Sequence, residues 1–149
     1  MYPILFHIGP FAVATYGVMI ALAVLASGWL LERGLRIEAI DPDHGWALIW
    51  YAVIGGFVGA KLYYVLLHGD ITAFVSRSGL VWYGGLIGGA VAVAWGIRRR
   101  GLPFLKTADA LAPAAALGHG IGHIGCFFSG DSYGLPSQLP WAVAFPHGA

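Results

Sequence analysis

GHGIGHIGCFFSGDSYG, residues 118–134, closes an uncharged apolar run in a chain that is hydrophobic almost throughout. Glycines separate the polar side chains of this glycine-rich stretch, which are His119, His123, Cys126, Ser129, Asp131 and Tyr133. Polar side chains are costly in apolar membrane surroundings, so a cluster of them indicates function. We therefore interpret the stretch as a polar loop that a bundle of helices holds at one face of a membrane.

The composition of the chain indicates lipid rather than water as its solvent. Hydrophobic residues make up 58% of the sequence, charged residues 10%, and the mean hydropathy is +0.75. A soluble domain has about a quarter of its residues charged. The net charge of +1, without a basic stripe interleaved with aromatic residues, excludes nucleic acid as an expected partner. Cys126 is the only cysteine, so the sequence predicts no internal disulfide.

Four apolar runs predict an all-α polytopic membrane helix bundle with a single transmembrane domain over residues 1–149. A span needs roughly 20 apolar residues, and the runs lie near residues 12–31, 46–67, 80–97 and 107–128. Residues 1–10 are expected to lie at the membrane interface. They contain no Lys or Arg before the first apolar run, so we expect a permanent first span rather than a cleaved signal peptide.

Basic residues predict the orientation of the bundle. Most lie in the first and third connectors, namely Arg33, Arg36, Arg98, Arg99, Arg100 and Lys106, whereas the second connector has only Arg77. The positive-inside rule places the first and third connectors in the cytoplasm and the N-terminus outside. The fourth span then carries the glycine-rich stretch to the outer leaflet. Tyr16, Lys61 and Tyr83 are expected at the same depth.

Residue chemistry alone leaves several alternatives open. Lys61 either extends outward to the interface or binds a phosphate in the bundle. Tyr16 and Tyr83 fit an interfacial aromatic belt. The pairs Gly55/Gly59 and Gly84/Gly88 predict close helix packing, with space for a lipid headgroup as the alternative at Gly84.

The polar cluster itself allows two further chemistries. His119 and His123 share one helical face if the helix persists that far. With Cys126 and Asp131 they are the candidate ligands of a mixed zinc site. Cys126 paired with His123 is a candidate nucleophile. The residue types thus predict an outer-leaflet polar pocket for an anionic lipid headgroup, but they indicate no reaction.

Four segments resemble, in order and spacing, the N-terminal half of the prolipoprotein diacylglyceryl transferases. They are MYPILFHIGPFAVATYGVMIALA, GGFVGAKLYYVL, SGLVWYGGLIGG and the glycine-rich stretch, which lies over the family's signature motif. The resemblance implies a transferase of the bacterial plasma (inner) membrane that moves the diacylglyceryl group of phosphatidylglycerol to the lipobox cysteine thiol of a preprolipoprotein. It implies no metal or organic cofactor. It also implies that the chain is incomplete relative to the family.

The resemblance assigns roles to individual residues. Tyr16 and Asp131 are implied as catalytic, and the implied substrate-binding residues are His123, Lys61, Tyr83, Cys126 and Gly134. His123 stands where the family has an arginine that holds the phosphate. Arginine provides a permanent charge and a bidentate fork of hydrogen-bond donors. The alternative interpretation is therefore a truncated or non-catalytic paralogue that binds an anionic lipid headgroup.

Overall fold

The computed structural model describes residues 4–8, 11–69, 71–74, 80–130 and 134–145. In these residues the chain forms a two-stranded antiparallel hairpin followed by four helices, with a short 3-10 turn at Ile71–Phe74. The strands are β1 (Ile4–Ile8) and β2 (Phe11–Ala14), and the helices are α1 (Thr15–Ile37), α2 (His44–His68), α3 (Trp82–Arg99) and α4 (Phe104–Ser129). The predicted all-α membrane helix bundle is confirmed, with the small hairpin as an unpredicted addition.

Within the described chain, α1, α2 and α4 are long and apolar enough to cross a membrane. The third predicted span corresponds to α3, which has 18 residues and carries Arg98 and Arg99 in its last turn. These arginines lower its mean hydropathy, so α3 is not among the helices that are apolar enough to cross a membrane. Its crossing of the membrane therefore stays a prediction.

The N-terminal hairpin changes the expected start of the first helix. Pairing runs from Ile4 opposite Ala14 to Ile8 opposite Phe11, with an irregularity between Ile4 and Phe6. The backbone groups of residues 11–14 are thus committed to β1. For this reason α1 begins at Thr15, three residues later than the predicted span.

Two other helix boundaries differ from the prediction. Helix α1 continues to Ile37 and includes Glu32 and Arg36, which were expected in the connector and lie 4.0 Å apart as an ion pair. Helix α4 begins at Phe104, three residues before the predicted start at residue 107, so Asp109 lies in its second turn. Charged residues one turn apart support a helix beyond its apolar segment.

The glycine-rich stretch is helical as far as Ser129, which agrees with the fourth span predicted over residues 107–128 and not with a loop that begins at residue 118. Glycine costs a helix about 1 kcal/mol in water. In lipid, however, backbone groups must bond to each other, which favours the helix. The helix ends at Gly130, whose φ is 69°. Asp131 and Tyr133 lie outside the described residues.

The chain divides into two compact units, Met1–Ser27 with Pro113–Ala149 (unit 1) and Gly28–Ala112 (unit 2). The core of unit 2 contains the fully buried side chains of Leu31, Leu35, Leu48 and Ile97. Its helices α2 and α3 meet through glycines. A Cβ atom added at Gly59 would collide with the carbonyl oxygen of Gly84 and lie 2.8 Å from the Cα of Gly88.

The glycine contacts confirm the packing interpretation of the Gly55/Gly59 and Gly84/Gly88 pairs. Gly84 is buried, and an added Cβ there would collide with Tyr63 and with the carbonyl oxygen of Gly59. The space beside Gly84 is therefore filled by α2 and not left open for a headgroup.

Candidate functional site

The first part of the site is the packing of α1 against α4 within unit 1. The Ser27 hydroxyl donates a hydrogen bond of 2.8 Å to the carbonyl oxygen of Ala114. Farther along both helices, a Cβ at Gly125 would lie 2.9 Å from the Cβ of Met19 and 3.4 Å from Cδ2 of Tyr16. The start of α1 therefore lies beside the end of α4. The prediction that Tyr16 lies at the depth of the glycine-rich stretch is confirmed for the described part of that stretch.

His119 and His123 form the second part of the site. Their Nε2 atoms are 2.9 Å apart, and their ring centroids are separated by 4.3 Å with the rings nearly perpendicular, at 81°. Both side chains are exposed on the continuous helix α4. The prediction that they share a helical face is confirmed, because the helix persists through the intervening glycines.

Cys126 lies one turn beyond His123 and is half-buried. Its carbonyl oxygen accepts hydrogen bonds from the Ser129 hydroxyl at 3.1 Å and from the Gly130 backbone N–H at 2.9 Å. These bonds close the last turn of α4. Within the described residues no three His, Cys, Asp or Glu side chains are grouped to hold a metal ion. His119, His123 and Cys126 therefore do not form the core of the mixed zinc site considered above.

Lys61 belongs to unit 2, on α2, and only 3% of its surface is exposed. A lysine that extends outward to the interface would expose its ammonium group. The burial therefore argues against the first alternative, and the binding of a phosphate by Lys61 stays a prediction. Burial of an ammonium group is costly unless it has polar or anionic partners.

Tyr83 and Gly134 occupy exposed positions. Tyr83, in unit 2, is 64% exposed, and its ring packs edge-on against Trp82 with centroids 5.1 Å apart. Gly134, in unit 1, lines a cavity of about 560 Å³ formed with residues 135–137 and 142–145. A Cβ at Gly134 would meet no atom within 4 Å, so space does not explain a glycine there.

Within unit 1 the structure brings several predicted residues together. Tyr16 lies beside α4, the helix that carries His123 and Cys126, while Lys61 and Tyr83 belong to the other unit. The sequence analysis missed Ser27, which is buried and bonds to α4. A lone serine in an uncharged span is the signal that could have identified it, because hydroxyl groups join helices in lipid.

A family model described as prolipoprotein diacylglyceryl transferase matches residues 3–149. The chain belongs to this family. The resemblance found in the sequence is thereby confirmed. Since three helices among the described residues are long and apolar enough to span a membrane, this member of the prolipoprotein diacylglyceryl transferase family is a multi-pass membrane protein.

Several curated relatives carry the name phosphatidylglycerol–prolipoprotein diacylglyceryl transferase. The chain is 35% identical to the one from Clostridium tetani over 97% of its own length and 61% of the relative's. It is 36% identical to the one from Synechococcus elongatus, of which it covers 52%, and 37% identical to the one from Methylococcus capsulatus, of which it covers 60%. The chain therefore spans between half and three fifths of the relatives it matches.

Proposed function

We propose that this chain acts in diacylglyceryl transfer from phosphatidylglycerol to the lipobox cysteine of a prolipoprotein at the bacterial plasma (inner) membrane. The observation that carries the proposal is the match to one transferase family over residues 3–149, together with relatives that bear the name of this activity. The packing of Tyr16 beside Gly125 supports it, because both belong to segments that resemble the family.

The reaction is a displacement at carbon. The lipobox thiol loses its proton. The sulfur then attacks the carbon of the diacylglyceryl group that is bonded to a phosphate oxygen. The carbon–oxygen bond breaks, glycerol phosphate leaves with the electron pair, and a thioether remains. Such a step gains from a cation on the departing phosphate and from an acceptor for the thiol proton.

In this proposal the residues take the roles that the resemblance implies. Lys61 is a cation for the phosphate, and its burial supports this role because a desolvated charge interacts strongly with an anion. His123 is a hydrogen-bond donor to the phosphate. Tyr16 and Asp131 orient the reacting groups or relay the proton.

The remaining three proposed residues contact the substrate and do not take part in the reaction. They are Tyr83, Cys126 and Gly134. The proposed orientation, with the N-terminus outside, lets a secreted substrate meet the lipid at the outer leaflet.

The test is transfer of the diacylglyceryl group from phosphatidylglycerol to a lipobox peptide by the purified chain in lipid vesicles. We expect transfer by the unsubstituted chain and a roughly fivefold higher rate for His123→Arg, because a charged hydrogen bond contributes about 1 kcal/mol more than a neutral one. No transfer by either chain would remove catalysis from the proposal.

Two lysine variants provide a matched comparison. We expect Lys61→Ala to weaken phosphatidylglycerol binding about tenfold or more, because a buried charged contact is lost. Lys106→Ala removes an exposed lysine near the start of α4 and should leave binding unchanged. Equal losses in the two variants would contradict a specific role for Lys61.

A second candidate function is lipid binding without turnover, which the histidine at position 123 favours, because the resemblance implies an arginine there. The two candidates differ in one result. A binding protein would retain phosphatidylglycerol through purification and lose it in Lys61→Ala, yet transfer nothing to the peptide. Absence of bound lipid in the unsubstituted chain would count against this candidate.

A further inference from the structure

The two histidines of α4 have the arrangement of a helical chelate. His119 and His123 are one turn apart and direct the same ring nitrogen, Nε2, toward each other across 2.9 Å. Two nitrogens bound to one tetrahedral zinc at 2.0–2.1 Å lie about 3.3 Å apart. A separation of 2.9 Å thus needs to open by only a few tenths of an ångström, which small side-chain rotations supply.

Both side chains are available to an ion from outside the helix. The two rings are exposed, although the helix around them is apolar enough to lie in a membrane. Placing two imidazoles at such a depth is costly unless they have a polar partner. A hydrogen bond between the rings satisfies one nitrogen of each, and a bound cation would satisfy the same two nitrogens with stronger bonds.

We propose that His119 and His123 form a two-histidine site for a divalent transition metal ion of the Zn²⁺ and Cu²⁺ class. Each ring binds through Nε2 as a neutral imidazole with its proton on Nδ1, so coordination replaces the hydrogen bond between the rings. Imidazole nitrogen is a ligand that suits zinc and copper. The remaining coordination positions are open to water or to an anionic oxygen ligand.

This site differs from the mixed four-residue zinc site and from the activity proposed above. It uses two ligands that the structure brings together and does not require Cys126 or Asp131. It is also particular to this chain, because the family resemblance implies an arginine at position 123 and no metal. Metal binding is measured without lipid or peptide, so its outcome is independent of transferase activity.

The test is a zinc titration by calorimetry on the full chain in neutral detergent, prepared without a polyhistidine tag and stripped with a chelator. We expect one Zn²⁺ per chain. We expect His119→Ala and His123→Ala each to weaken binding about tenfold or more, since even indirect partners of a metal site contribute factors of 10–100.

His68→Ala is the matched control. His68 is another exposed helical histidine, its Nδ1 lies 3.0 Å from the Tyr64 carbonyl oxygen, and the positions four residues away hold Tyr64 and Thr72. This variant should bind zinc like the unsubstituted chain. Equal weakening in all three variants, or no uptake of zinc, would overturn the proposal.

A second measurement avoids any dependence on how the variants fold. Cu²⁺ added to the unsubstituted chain should give an electron paramagnetic resonance spectrum with hyperfine coupling to two imidazole nitrogens. Coupling to a single nitrogen would exclude the chelate.

Discussion

Gly122 and Gly125 of α4 are three residues apart but have different surroundings within unit 1. A Cβ at Gly125 would meet the Cβ of Met19 at 2.9 Å, whereas a Cβ at Gly122 would meet nothing within 4 Å. The Cβ of Met19 is fixed to the backbone, so the helix itself would have to move to relieve the contact. Packing therefore requires a glycine at position 125 but not at position 122.

We predict opposite effects of alanine at these two positions. Gly125→Ala should lower the free energy of unfolding by up to about 2 kcal/mol, because overpacking costs about 1–3 kcal/mol and the gain in helix propensity offsets about 1 kcal/mol of that cost. Gly122→Ala, the matched control, should raise it by up to about 1 kcal/mol. Denaturant-induced unfolding in detergent micelles measures both, and equal effects would contradict the α1–α4 contact.

Single residues were predictable where spacing alone decides the geometry. Two histidines four apart meet on any helix, so the pairing of His119 with His123 followed once helix was assumed. The burial of Lys61 did not follow, because a lysine stem can lie along an apolar surface with its head either inward or outward. Only the packing of the surrounding helix distinguishes these two directions.

Helix α4 shows why the loop prediction failed at the scale of an element. Its segment around positions 118–125 contains four glycines, Gly118, Gly120, Gly122 and Gly125, and in water that composition would favour a loop. In a bilayer the unsatisfied backbone groups of a loop cost more than the glycines do. The hydrophobicity of the sequence carried the correct signal and predicted the fourth span over residues 107–128, whereas the loop interpretation gave the glycines too much weight.

The pairing of α2 with α3 depends on a different property of glycine. The carbonyl oxygen of Gly84 faces Gly59 so closely that a Cβ atom there has no space. Gly56 lies three residues before Gly59 on α2. A Cβ added at Gly56 would lie 3.4 Å from the Gly85 carbonyl oxygen, which is an ordinary contact. Small-residue spacing predicted the interface, but not which glycines lie at its centre.

We predict that Gly59→Ala disrupts the α2–α3 pair and that Gly56→Ala does not. The first change forces two backbones apart and should cost about 1–3 kcal/mol of unfolding free energy. The second adds a methyl group at a normal distance and should change stability by less than about 1 kcal/mol. Thermal unfolding of the two variants in the same detergent makes the comparison. A Gly59→Ala protein as stable as the parent would contradict the predicted close approach.

At the scale of the whole molecule, aromatic and basic residues mark the predicted cytoplasmic ends of two helices. The Arg33 guanidinium lies 4.8 Å from the ring centroid of Trp29 on α1, and that of Arg99 lies 5.1 Å from Trp95 on α3. Tryptophan and arginine together are typical of the membrane interface. Both pairs lie at helix ends where the positive-inside rule predicts the cytoplasm.

We predict the orientation to be measurable with single cysteines introduced after Cys126→Ser. Thr72→Cys, in the second connector, should react with a membrane-impermeant maleimide on intact cells. Glu38→Cys, at the end of α1, should react only after the membrane is opened. The reverse pattern would contradict an N-terminus on the outer side.

The class of the molecule was predictable from composition, since scarce charge and long apolar runs leave few alternatives to membrane helices. The N-terminal hairpin was not, because its strands are short and apolar, and such runs suit a strand, an interfacial segment or the start of a helix equally. The pairing of Ile4 with Ala14 depends on the backbone conformation along both strands, which short apolar runs do not specify.

The glycine interface between α2 and α3 also constrains how the gene can vary. No residue is smaller than glycine, so every substitution at Gly59 or Gly84 adds atoms where the structure has no room for them. Val58 and Ile87 line the same apolar groove as these glycines but have substitutes of similar volume. Within one groove, substitution is therefore tolerated at the larger side chains and excluded at the two glycines.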